Sequence, residues 1–84
     1  MEIGDIVISL AGHDTGKPFI VVAKINENFV LIADGKSRGV ENPKLKRKRH
    51  LRVVAQSGIE SPTNATLNKR IKQFIKDRRL YAEE

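Results

Sequence analysis

Lys44, Lys46, Arg47, Lys48, Arg49 and Arg52 place six cations within nine residues, and the chemistry open to them is the binding of a polyanion. A second block follows at Lys69, Arg70, Lys72, Lys76, Arg78 and Arg79. Residues 36–52 hold eight cations against Glu41 alone, net +7, and residues 69–79 hold six against Asp77, net +5. Residues 1–35 are net −3, so the +6 of this 84-residue chain sits in two blocks rather than being scattered for solubility. The first block runs directly into Leu51, Val53 and Val54, which have strand character. Lys44 to Val54 therefore reads as a loop entering a strand, with some of its cations held in place. Fixed cations lose less side-chain entropy on meeting a phosphate than mobile ones. A third feature is Gly12-His13-Asp14-Thr15-Gly16-Lys17-Pro18, a segment dense in turn formers that ends the first strand.

Other chemistries find no support. Cysteine is absent, which removes disulfides, thiolate zinc sites and cysteine nucleophiles together. His13 and His50 have no third ligand at metal spacing. Asp14-Thr15-Gly16 matches the aspartic-protease triplet, but Lys17-Pro18 follows it, so the carboxylate would stand in a wet loop beside cations. Gly12-x-x-x-Gly16-Lys17-Pro18 is one spacer short of a P-loop and has proline where magnesium needs a hydroxyl. Asp5 and Asp34 read as turn and strand-edge residues rather than an acid–base pair. No apolar run approaches a membrane span, and Met1-Glu2-Ile3-Gly4-Asp5 does not open like a secretory signal. The expectation is a cytoplasmic protein without catalysis, cofactor, metal or membrane contact.

The positioning elements follow from periodicity. Ile6, Ile8 and Leu10 alternate with Asp5, Val7 and Ser9, predicting a strand over 4–10. Phe19 to Ile25 is apolar but for Lys24 and predicts a strand buried on both faces. Asn26-Glu27-Asn28 is a hairpin loop, and Phe29 to Ala33 is its return strand, stopped by Asp34-Gly35. Val40 is a candidate start for another short strand, and Arg49 to Ala55 closes the sheet. Four or five short strands with tight turns describe a mostly β fold, a small SH3-like barrel over residues 1–56. Residues 57–84 form a helical extension packed on or beside it. Ser61 is a candidate cap with Pro62 at the first helical position, and Thr63 competes. Leu67, Ile71, Phe74 and Ile75 then make one apolar stripe on a basic amphipathic helix.

Gly4-Asp5-x-Val7-x-Ser9-x-x-Gly12-x-Asp14-x-Gly16-Lys17, followed by an apolar strand, resembles the KOW motif of ribosomal proteins and transcription-elongation factors. The likeness continues through Ala33-Asp34-Gly35 and Pro43-x-Leu45-Lys46-x-x-x-x-Leu51. That later segment is similar to archaeal and eukaryotic-type large-subunit ribosomal KOW proteins, and more so to their small stand-alone relatives in Gram-positive bacteria. The resemblance covers residues 3–54 and leaves the helix outside. It implies an SH3-like barrel that binds RNA through the motif loop and nearby basic surface, without catalysis. It carries no role of its own to His13.

The expected RNA-binding residues are therefore Gly12, His13, Asp14, Thr15, Gly16 and Lys17 in the loop, with Lys44, Lys46, Arg47, Lys48, Arg49 and Arg52 beside it. Lys69, Arg70, Lys72, Lys76 and Arg79 form a secondary basic surface. Phe19, Phe29 and Phe74 read as core and only Tyr81 is free, so base stacking is minor and the expected target is folded RNA recognised by shape, as in ribosomal RNA. A ribosome-associated monomer, with ribosomal proteins as further neighbours, fits this reading. The alternative is a non-catalytic protein-interaction module of the transcription or translation machinery, its helix stripe docked in a partner groove. A stripe buried by the barrel speaks against that use, and a free stripe for it.

Overall fold

The structure is a computed structural model that describes residues 1–82, with side chains described through Arg78. Five strands, β1 (Asp5–Ser9), β2 (Pro18–Lys24), β3 (Phe29–Ala33), β4 (Lys44–Arg47) and β5 (Leu51–Gln56), precede one helix, α1 (Asn64–Ala82). The strands form one antiparallel sheet in the order β4-β3-β2-β1-β5. Two register shifts bend it. One lies between Ile6 and Val7 where β1 meets β5, and the other between Val21 and Ala23 where β2 meets β3. Extra residues of this kind increase local twist and curl a small sheet toward a barrel. The fold is mostly β, a barrel-like sheet with a C-terminal helix.

Both faces of the central strands are buried. Val7, Phe19, Val21, Val30, Ile32 and Leu51 fill the concave interior. Ile6 pairs with Ile20 and Ile20 with Ala33, so these three form a row across the opposite face. That row would meet water if Leu67 and Ile71 of α1 did not cover it, at 0 % and 6 % exposure. Two-sided covering explains a departure from simple alternation in β1: Asp5 and Ser9 are buried, whereas Leu10, at 52 %, lies outside the strand. Their polar atoms have partners, Asp5 accepting from the Glu2 amide at 2.7 Å and Ser9 Oγ donating to the Ala11 carbonyl at 3.0 Å.

The helix is seated by its first turn. Gly35, at φ +78°, stops β3, and a Cβ there would collide with the main chain of Asn64. Val40 begins no strand; its amide donates to Asn64 Oδ1 at 2.8 Å, and Asn64 Nδ2 donates to Glu41 at 2.9 Å. The fourth strand is instead Lys44–Arg47, so the segment expected as a loop is an edge strand paired with β3. Thr63 rather than Ser61 caps the helix: its hydroxyl accepts from the Thr66 amide at 3.2 Å, and Thr66 Oγ1 accepts from the Thr63 amide at 3.0 Å. That reciprocal pair gives partners to two amides at the helix start, those of Thr63 and Thr66.

Gly16 has a similar positive φ, +86°, but open space around it. Gly16→Ala should therefore cost only the left-handed strain, about 1 kcal/mol, and Gly35→Ala roughly 2 kcal/mol or more because the helix must also move. Urea denaturation measures both, and equal costs would contradict the close seating of α1.

Candidate nucleic-acid interface

The first loop is built before any ligand arrives. The Gly16 amide donates to Ser9 O at 2.8 Å, Lys17 N to Asp14 O at 2.9 Å and Thr15 N to Gly12 O at 3.2 Å. The Thr15 hydroxyl also donates to Gly12 O, at 2.6 Å. Three of the amides expected to face phosphate are thus engaged inside the loop. What the loop presents outward is its curvature and the exposed side chains of His13, Thr15 and Lys17.

Strand β4 divides the basic run by its two-residue period. Lys44 and Lys46 turn toward the loop, where Lys44 Nζ meets Asp14 Oδ2 at 2.8 Å and Lys46 Nζ donates to Ala11 O at 3.1 Å. The intervening Leu45 and the following Arg47 are exposed. These two lysines are ties between strand and loop, and the expectation that they meet phosphates freely needs correction. The Asp14 carboxyl is held below the ordinary aspartate range first by the Lys44 hydrogen bond, with the charges of Lys44, Lys17 and Lys46 adding to it against slight burial.

Arg47 lies over the Phe29 ring, 5.2 Å from its centroid, because the two residues face each other in the β3–β4 ladder. Phe29 is consequently half-buried rather than core, and its ring orients a guanidinium. Lys48–His50 then form a short 3₁₀ turn, pinned where Lys48 N donates to Asn28 O at 2.8 Å and Leu10 N to His50 O at 2.8 Å. Arg47, Lys48 and Arg49 with Glu27 and Asn28 line a groove of about 330 Å³. Arg52 stands exposed on β5, opposite Ile8. The outward cations of this edge are therefore Arg47, Arg49 and Arg52, with Lys48 half-buried among them.

The helix cations separate. Lys69 and Arg70 border a groove with Ile59, Thr66 and Gln73, while Lys72 faces a different cleft with Lys17 and Lys36. Lys76 is exposed, Arg78 lies over the Phe74 ring at 5.5 Å, and the side chain of Arg79 is outside the described residues. Sequence reasoning missed Asn28 and Lys36. The second was signalled by Asp34-Gly35, a turn that returns the chain beside Lys17. Among the described residues no group of three or more metal-ligating side chains gathers, and no helix is long and apolar enough to cross a membrane.

Comparison of the chain with protein-family models finds no match, and comparison with curated proteins finds none either.

A lowered carboxyl pKa means the folded chain binds fewer protons than the unfolded one. The Asp14–Lys44 tie therefore contributes stability at neutral pH and loses it as pH falls through that lowered value, below about pH 4. Carboxyl NMR should find Asp14 titrating below the ordinary aspartate value in the native protein and returning toward it in Lys44→Met. Identical titrations in the two proteins would contradict the tie.

Proposed function

We propose that this protein is a non-catalytic RNA-binding protein of the KOW type, and that its target is structured ribosomal RNA. The observation that carries the reading is the outward arginine edge, Arg47, Arg49 and Arg52, on backbone fixed by sheet pairing and by the Lys48–Asn28 bond, beside a pre-ordered loop. Arginine presents a planar fork that matches phosphate oxygens, and the Phe29 ring already orients that of Arg47. Contacts of this sort position a nucleic acid by its backbone, so recognition rests on RNA shape. Phe19 is buried, and Phe29 and Phe74 each lie beneath an arginine, so they offer no open platform for base stacking.

The alternative, a protein-interaction module docking through its helix, needs a free apolar stripe. Leu67 and Ile71 already lie against the sheet, which leaves Ile75 and half of Phe74. The occupied stripe favours the RNA reading.

Fluorescence anisotropy with a labelled RNA hairpin tests it. If the four cations left to this edge, Arg47, Lys48, Arg49 and Arg52, each neutralise one phosphate, affinity should fall roughly 10²-fold between 50 and 200 mM salt. Arg47→Glu/Arg49→Glu/Arg52→Glu should weaken binding by ~100-fold or more while circular dichroism stays native. A flat salt response, or full binding by the triple variant, would contradict the proposal.

A further inference from the structure

Lys17, Lys36 and Lys72 come from the first loop, the turn after β3 and the helix, and they line one cleft of about 230 Å³. The fold brings them together for reasons already apparent. Pairing of Ile20 with Ala33 carries Pro18 and Lys17 alongside Gly35 and Lys36, and the burial of Ile71 places its neighbour Lys72 at the rim. Pro18, Ile71 and Ile75 form the floor.

The cleft keeps a surplus of positive charge, three lysines against one carboxylate. Its one carboxylate, Asp34, is turned into its own loop, accepting from the amides of Lys36 at 2.9 Å and Arg38 at 2.8 Å and from the Ser37 hydroxyl. Lys36 and Lys72 pair with no carboxylate among the described residues, and Lys17 reaches Asp14 only at 3.8 Å. Lysines that share one small cleft repel one another, weakly where water screens them, and a bound anion relieves that repulsion.

We propose that this cleft is a second phosphate-binding site, where the RNA backbone crosses from the first loop onto the helix. The inference rests on the RNA-binding reading above and extends it to residues outside the basic edge. Lys17 is the link, since its loop is tied on its other side to Lys44 and Lys46 of β4. A backbone fits the lining better than an acidic peptide does. Ile71 is 6 % exposed and Ile75 40 %, so the floor offers one accessible aliphatic residue and no deep anchor pocket. Lysine ammonium groups act as compact point charges suited to phosphate oxygens.

The test measures salt-dependent affinity for an RNA hairpin with a stem of about 20 base pairs, using Lys36→Glu/Lys72→Glu, Lys36→Arg/Lys72→Arg and the arginine-edge triple variant. The glutamate pair should reduce the slope of log affinity against log salt by about 2, one for each lysine, whereas the arginine pair retains it. An unchanged slope in the glutamate pair, with binding lost in the edge variant, would overturn the second site and leave the edge reading intact. No RNA binding by the native protein would overturn both. Native RNA affinity in the glutamate pair, joined to lost binding of poly-L-glutamate, would assign the cleft to acidic peptide instead and overturn the phosphate site.

Discussion

Burial of Leu67 and Ile71 against Ile6, Ile20 and Ala33 is the contact on which the rest of the architecture depends. A sheet this small has one enclosed face, and its central strands carry apolar residues on both. Covering the second face removes from water side chains worth about 1.5–3 kcal/mol each when fully buried. The same contact sets the helix azimuth, and with it the positions of Lys72, Lys69 and Arg70. Helix placement is thus a packing result with an electrostatic consequence: one cation faces the loop side of the barrel and two face away.

Concentrating cations on so small a surface works against folding, and the structure manages that cost residue by residue. Lys44 is neutralised by Asp14, Lys46 donates to a carbonyl, and Arg47 and Arg78 rest on aromatic rings. Lys44 and Lys46 also mark β4 as an edge strand, where lysine discourages pairing with a second sheet. Part of the basic run is thereby a structural device. The remainder, Arg47, Arg49 and Arg52, is held outward on ordered backbone, which is the condition for tight binding of a polyanion at low entropic cost.

The strands of the first hairpin were legible because their signals are local. Phe29 to Ala33 matches β3 at both ends, and turn-forming Asp34-Gly35 marks its stop. Strand β4 was hidden because Lys44-Leu45-Lys46-Arg47 lacks apolar alternation; only its pairing with β3 makes it a strand. Thr63 outcompeted Ser61 because Thr66 lies three residues on and can return the bond, a pairing visible only once the helix start is fixed. The position of the basic edge could be read from charge spacing. The division of labour within it could not, because whether Lys46 faces a carbonyl or solvent depends on the register of a strand that sequence did not reveal. Lys36 was overlooked for a related reason: its partners Lys17 and Lys72 are distant in the chain and meet only through β2–β3 pairing and the helix seat.

Ultraviolet crosslinking of the tagged protein in its native cells, with sequencing of the attached nucleic acid and identification of the crosslinked peptides, tests the central claim most directly. The RNA-binding reading predicts reads gathered on one structured region of large-subunit ribosomal RNA, attached through residues 11–17 and 47–52. Recovery of no RNA above background, or of RNA attached only away from that edge, would contradict it.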